Sequence, residues 1–414
     1  MGLKILHTAD WHLGKKLDDF SRLEEQQLVL DEICQIADAN QVDIVLIAGD
    51  LFDTFNPSAE AQDLFYKTVH RLSKNGSRAV IAIAGNHDKP ERIEAPHPLA
   101  EANGILFCGF PNTVIQPFTT DSGMAVTQSD EGFLELKMPH NPTPFRLIFT
   151  PYANEIRLKT ALNTATNEQA LGDLLQQKWQ LLAAAYCDTE GVNFLMAHLY
   201  FMKKNGPMEA EPDGEKSILH IGGAPPVFTD QIPPQIQYTA LGHLHQYQCV
   251  DDSVAPVLYS SSPLCYSFSE AGQTKKVVII EAECNQKATY FSVDLKQGRP
   301  LLRRTFSAIA AAVDWLLNHQ NAYVELTILT ENYIDGADRK QLADAHPYII
   351  DVIPQIVGSN DNNHLTGINP FLIDETQNME QLFLDYFKYK HNNAEPTDAL
   401  LDLLKEVIHQ NDTI

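Results

Sequence analysis

The stretch LKILHTADWH, residues 3–12, joins a short apolar run to a polar turn that carries an aspartate and a histidine two positions apart. The aliphatic residues at 3–8 predict a strand, and residues i and i+2 of extended chain point the same way, so Asp10 and His12 would leave its carboxyl end together. The same design recurs. The run VDIVLIA at 42–48 ends in Gly49-Asp50, AVIAIA at 79–84 ends in Gly85-Asn86-His87-Asp88, and IQYTAL at 236–241 ends in Gly242-His243-Leu244-His245. A lone histidine, His198, follows a fifth run at 192–196. Further strands are expected at 145–150, 257–259 and 276–281. Between them, 23–39 places Leu28, Val29, Ile33 and Ile36 at helical spacing, and 59–72 does so with Leu64, Phe65, Val69 and Leu72. Strands alternating with helices predict an α/β fold, and these stripes read as core packing.

In open α/β sheets the crevice beyond the carboxyl ends of the strands gathers residues that are distant in sequence. Asp10, His12, Asp50, Asn86, His198, His243 and His245 would converge there as metal ligands. Carboxylate, amide and imidazole donors without thiolate suit manganese or iron better than copper or a structural zinc. Seven side chains are too many for one ion, and they suit two if Asp50 bridges. Two divalent ions acidify water and neutralise the attacking and leaving oxygens of a phosphoryl displacement. His87 is expected to act on the phosphate or the leaving oxygen, with Asp88 fixing its tautomer. The alternative is that His87 is one more ligand.

The remainder of the chain is less specific. Residues 116–144 and 203–234, rich in Thr, Ser, Gly and Pro, read as loops or ragged hairpins. Beyond 298–300 the pattern changes to helix 307–318, strand 322–329, helix 335–345 and strand 348–357, a small α+β domain. Amphipathic helices are expected at 378–389 and 397–409, the second leucine-rich and able to pack on its own chain or on a partner. A chain of 414 residues exceeds the size of one core, and boundaries are placed to give domains at 1–300, 301–360 and 361–414. Six scattered cysteines without a C-x-x-C pair fit reduced thiols. No apolar run reaches the roughly 20 residues of a membrane span, and the N-terminus lacks a signal peptide, so a cytoplasmic protein is expected. A net charge of −24 argues against coating nucleic acid with a broad basic surface.

In type and order, the motifs D-x-H, G-D, G-N-H-D, lone His and G-H-x-H resemble the calcineurin-like metallophosphoesterase superfamily. TADWHLGK at 8–15, AGDLFDTFNPS at 48–58, and the GNHD and GHLH blocks resemble its SbcD family of bacterial nuclease subunits. The resemblance implies a four-layer α/β/β/α sandwich with a small α+β cap domain and C-terminal helices. It implies one manganese ion on Asp10, His12, Asp50 and His245, a second on Asp50, Asn86, His198 and His243, and His87 at the scissile phosphate. It also implies a 3′ to 5′ exonuclease on duplex DNA ends that nicks single strands and opens hairpins. The partner would be an SbcC-type coiled-coil ATPase bound by the tail helices, in a heterotetramer built on a homodimer. No G-x-x-x-x-G-K-[ST] occurs here, which leaves ATP to that partner.

Two positions depart from relatives. Asp53 stands where some carry a histidine and is either an orienting residue or an ordinary loop carboxylate, and Ser261 replaces the glycine of a Tyr-Ser-Gly-Ser turn. A dimer would use 59–72 and the segment after Pro90, through Leu64 and Phe65 if these are exposed; burial in the core is equally compatible. The rival functions are a phosphatase or small-molecule phosphodiesterase of the same superfamily, and a non-catalytic scaffold.

Overall fold

Leu3 and Ile5 of the strand Leu3–Thr8 are buried on one side, and Leu6 on the other. The strand Ile44–Ala48 repeats the alternation, with Ile44 and Leu46 inward and Val45 and Ile47 outward. Both faces of a sheet must therefore be covered, as its parallel pairing requires. The computed structural model describes residues 2–158, 167–207, 211, 226–330, 334–356, 396 and 401. In it, Leu3–Thr8, Ile44–Ala48, Ala79–Ile83 and Ile105–Cys108 run parallel, and Lys276–Ala282 and Thr289–Asp294 complete a six-stranded sheet on the antiparallel side. A second, eight-stranded sheet contains Asn141–Thr150, Val192–His198, Tyr238–Gly242 and Val257–Tyr259, all parallel to their neighbours in that series.

The two sheets face each other across one core, in which Leu46, Ile81 and Ile280 meet Phe145, Phe194 and Tyr238. Outside the first sheet lie the helices Leu23–Ala39 and Ala59–Ser73, and outside the second lies Asn167–Tyr186, burying Leu175 and Trp179. This is the expected four-layer α/β/β/α sandwich. Each fully buried Leu, Ile or Phe contributes about 1.5–3 kcal/mol of hydrophobic transfer energy, so these layers fix the relative positions of the strand ends.

One detail of the sequence reading changes, at Leu28, and one alternative left open, at Phe65, is decided for the core. Leu28 is 52% exposed, and the buried stripe of its helix is Val29, Leu30, Ile33, Cys34 and Ala37. Phe65 is buried among Trp11, Phe52 and Phe107 and belongs to the core; Leu64 packs at its margin. All six cysteines are free. Among the described residues, no helix is long and apolar enough to cross a membrane.

The chain divides into two compact units, Met1–Ile356 and Val357–Ile414. Within the first, the strands Leu301–Phe306, Tyr323–Thr330 and Ile349–Ile356 form a parallel sheet with its own core, connected through helices Ile309–Leu317 and Gly336–Ala345. The first of these strands is an addition to the sequence reading. Asp335 caps the second helix by accepting from the Asp338 amide, which satisfies one of its free N–H groups. This small sheet is tied to the start of the helix Leu23–Ala39. Glu25 accepts from the Arg299 amide at 2.5 Å and the Tyr323 hydroxyl at 3.0 Å, while Arg22 binds the same carboxylate at 2.6 Å and stacks over Tyr323. The helices expected at 378–389 and 397–409 lie outside the described residues, Leu401 excepted.

Candidate metal centre

Residues with left-handed backbone cluster at the strand exits. Asp10 (φ 55°), His12 (φ 44°), Asp50 (φ 49°) and His243 (φ 111°) all lie in a region that L side chains rarely adopt, and such strain persists only where surrounding structure enforces it. Here the enforcement is visible. The amides of Asp10 and His12 donate to the carbonyls of Gly49 and Asp50 at 3.0 and 2.9 Å, stitching the first two loops together. Gln26 donates to the His12 carbonyl at 2.8 Å and accepts from the Gly14 amide at 3.0 Å. Arg157 is buried and clamps the third loop, donating to the carbonyls of Gly85 and Asp88, each at 2.7 Å.

The seven expected ligands are brought to one place, all buried. Asp10, Asp50 and His198 each offer a ligand atom within 4.8 Å of the others. His198 is the last residue of its strand; its Nδ1 donates to the Ala48 carbonyl at 2.9 Å, and its Nε2 lies 2.8 Å from Asn86 Oδ1 and 3.4 Å from Asp50 Oδ2. His12 Nε2 faces His245 Nε2 at 3.0 Å and Asp50 Oδ2 at 3.5 Å. The other oxygens of the two aspartates hold backbone: Asp10 Oδ1 accepts from the His243 amide and Asp50 Oδ1 from the His87 amide, each at 2.9 Å. Their Oδ2 atoms are buried and carry no hydrogen bond. His243 sits next to His198, with Nε2 donating to Glu211 at 2.7 Å.

Acceptor-only partners reveal where ring protons sit. A carbonyl or carboxylate must receive an N–H, so Nδ1 of His198 and of His245 is protonated, the latter toward Glu270 at 3.1 Å. The opposite nitrogens face inward, and each would present a lone pair once a cation takes the place of a proton there. Burial raises the Asp10 carboxyl to about 7 against the pull of His198 and His245. Burial pushes Asp50 the same way, but His198, His87 and His12 outweigh it and hold its carboxyl well below the usual range. His198, disfavoured as a cation by burial, is nonetheless raised to about 9 by the Asp50 and Asp10 carboxylates. A fully buried pair of carboxylates calls for positive charge at the same point. Two orphaned carboxylate oxygens amid inward-facing imidazole nitrogens, with no thiolate, fit divalent cations.

His87 is differently arranged from expectation. Its Nδ1 donates to the carbonyl oxygen of Asp53 at 2.8 Å. Asp88 instead spends its carboxylate on three backbone amides, those of Gly85, Leu51 and Phe52, at 2.8 to 3.0 Å. A buried loop with three unpaired amides recruits a carboxylate strongly, and this draws Asp88 away from the imidazole. The Asp53 side chain joins His12 and His87 in a second cluster of possible ligand atoms within 4.8 Å, and it binds Lys15 at 2.9 Å. Ser261 has φ 81°, the conformation a glycine would favour, and its hydroxyl accepts from the Lys276 amide at 2.9 Å. Four residues that shape the site, Gln26, Arg157, Glu211 and Glu270, were not found by motif. Their spacing to the ligands has no local periodicity, so only the tertiary fold discloses them.

Comparison with known proteins shows the family to which such a chain belongs. Residues 3–162 match the calcineurin-like phosphoesterase family. The chain is 32% identical over 412 residues to the SbcD subunit of the SbcCD nuclease of Bacillus subtilis, covering 98% of this chain and 97% of the relative. It is 26% identical to the SbcD subunit of the Escherichia coli nuclease, covering 82% of this chain and 81% of the relative. Among solved structures, a dimetal phosphatase from Danio rerio aligns at 12% identity and a TM-score of 0.38, over 71% of this chain and 99% of that one. With a donor set fit for divalent cations at the strand ends of a two-sheet sandwich, and a relative 32% identical that matches it nearly end to end, the chain belongs to the SbcD family of calcineurin-like phosphoesterases.

Proposed function

We propose that this chain is the nuclease subunit of a DNA-processing complex acting in repair, recombination and replication. It hydrolyses phosphodiester bonds with two divalent ions, manganese by preference, as a 3′ to 5′ exonuclease on duplex ends and an endonuclease on single strands and hairpins. The observation that carries the reading is the buried convergence of Asp10, Asp50 and His198 with two carboxylate oxygens left for a cation. The assignment of ligands follows the family motifs: Asp10, His12, Asp50 and His245 for one ion, and Asp50, Asn86, His198 and His243 for the other. When bound, the ions supply Lewis acidity that makes water nucleophilic at neutral pH and offsets the charge of the phosphodiester.

The remaining chemistry belongs to the side chains. Asp50 lies between both histidine sets, at 3.5 Å from His12 and 3.4 Å from His198, which suits a shared ligand. His87 donates Nδ1–H to the Asp53 carbonyl, so a proton gained at Nε2 forms an imidazolium that the carbonyl stabilises. Nε2 then hands that proton to the departing alkoxide. Asp88 shapes the loop that presents His87. The word subunit in the relatives' names supports a partner, taken to be an SbcC-type coiled-coil ATPase that engages 361–414, in a heterotetramer built on a homodimer in the cytoplasm.

A net charge of −24 favours the second reading, a phosphatase or small-molecule phosphodiesterase. Incubating the purified chain with Mn²⁺, labelled duplex and hairpin DNA, and a phosphomonoester separates the two, and repeating the assay with the partner ATPase and ATP tests assembly. Cleavage of DNA is expected. Turnover of the monoester alone would establish the rival.

A further inference from the structure

Glu270 has no place in any motif, yet it is 2% exposed and sits on a short turn, Phe268–Glu270, directly behind His245. One carboxylate oxygen accepts from His245 Nδ1 at 3.1 Å and from the Tyr266 amide at 3.2 Å. The other accepts from Lys275 Nζ at 2.6 Å. Lys275 uses its remaining donors on the His245 carbonyl at 2.7 Å and on Gln273 at 3.0 Å. The residue is thus gripped at both ends, the imidazole by Glu270 and the main chain by Lys275.

Three physical effects follow. A carboxylate at Nδ1 selects the tautomer whose Nε2 carries the lone pair, and Nε2 is the atom that faces His12 at 3.0 Å. It fixes the ring about its torsion, which a lone histidine at the end of a loop would not hold. It also draws the Nδ1 proton toward itself and so raises the electron density that Nε2 can donate. Lys275 binds the other carboxylate oxygen without reaching the imidazole. A buried ion pair alone would explain Glu270 and Lys275 but not the third contact, since the carboxylate would need no histidine.

We infer that Glu270 is the positioning residue of His245, setting its tautomer, ring orientation and donor strength toward a divalent cation, with Lys275 anchoring the far oxygen of that carboxylate. The inference rests on the metal centre of the proposed function. Its test is calorimetric titration of the full chain with Mn²⁺, alongside thermal unfolding in EDTA, for the wild type, Glu270→Gln and the charge-matched double variant Glu270→Gln/Lys275→Gln. The wild type is expected to take up two ions. Glu270→Gln should weaken one of the two binding steps about 10- to 100-fold, with an unfolding temperature in EDTA close to that of the wild type. The double variant should show the same loss, and it decides the matter if the single one does not fold. Folded variants that bind both ions like the wild type would overturn the inference, as would a failure of both variants to fold, which would make the pair structural. A wild type that binds no Mn²⁺ would overturn the metal centre itself, a result distinct from either.

Discussion

At the level of single residues, neighbours in the Gly-Asn-His-Asp block have divided roles. His87 donates Nδ1–H to a carbonyl and is proposed to act through Nε2, whereas Asp88 is engaged by three amides. Replacing His87 by Ala should leave Mn²⁺ affinity nearly intact and slow cleavage by about 10² to 10⁴ fold, as loss of a general acid does. Asp88→Asn behaves oppositely: an amide offers one acceptor oxygen where a carboxylate offers two, so unfolding in EDTA should register a loss of about 2–3 kcal/mol. Similar unfolding curves for the two variants would contradict this division. Ser261 gives a second contrast. Its φ of 81° strains any side chain, while its hydroxyl holds the Lys276 amide. Ala keeps the strain and loses the bond, whereas Gly loses the bond and relieves the strain. The glycine variant should therefore unfold with about 1–2 kcal/mol more stability than the alanine variant. Equal stabilities would show that the turn relaxes around the side chain.

Among the elements, strand ends approach so closely that glycine is required at their junctions. A Cβ on Gly85 would lie 2.0 Å from Asp50 Oδ1, and one on Gly49, at φ 92°, would lie 2.2 Å from His198 Nδ1. Gly85→Ala must displace the Asp50 carboxylate, and Mn²⁺ titration should show at least one binding step lost while the sheets still fold; retention of both steps would mean the loop has room to move. These glycines were readable in the sequence because they stand beside the candidate ligands Asp50 and Asn86. The motifs disclosed the strand exits, since alternation followed by Gly-Asp or Gly-His is a local signal. Leu28 was misread because Leu23–Ala39 buries a stripe displaced by one or two positions, and a helix with aliphatics on several faces does not announce its phase. The helix Asn167–Tyr186 and the strand Leu301–Phe306 went unremarked. In the latter, an edge strand of its sheet, Arg303 and Arg304 are both exposed and interrupt the apolar pattern. Glu270 and Arg157 could not be foreseen at all, because their partners are chosen by the packing of distant turns.

For the molecule as a whole, buried carboxylates are stabilised by whatever positive charge enters the centre. A ligand that binds only the folded state adds stability by mass action, about 2.7 kcal/mol per site at a hundredfold excess over its dissociation constant. Thermal unfolding with Mn²⁺ against EDTA should accordingly show a clear rise with metal, and Mg²⁺ or Ca²⁺ a smaller one given the imidazole-rich donors. An unfolding temperature indifferent to Mn²⁺ would count against the centre. The helix Leu23–Ala39 adds a further connection across the first unit. Glu25 grips the small parallel sheet through Arg299 and Tyr323, and its neighbour Gln26 grips the carbonyl of His12. The small sheet and the loop that carries His12 are consequently moored to adjacent residues of one helical turn, with no slack chain between the two anchors.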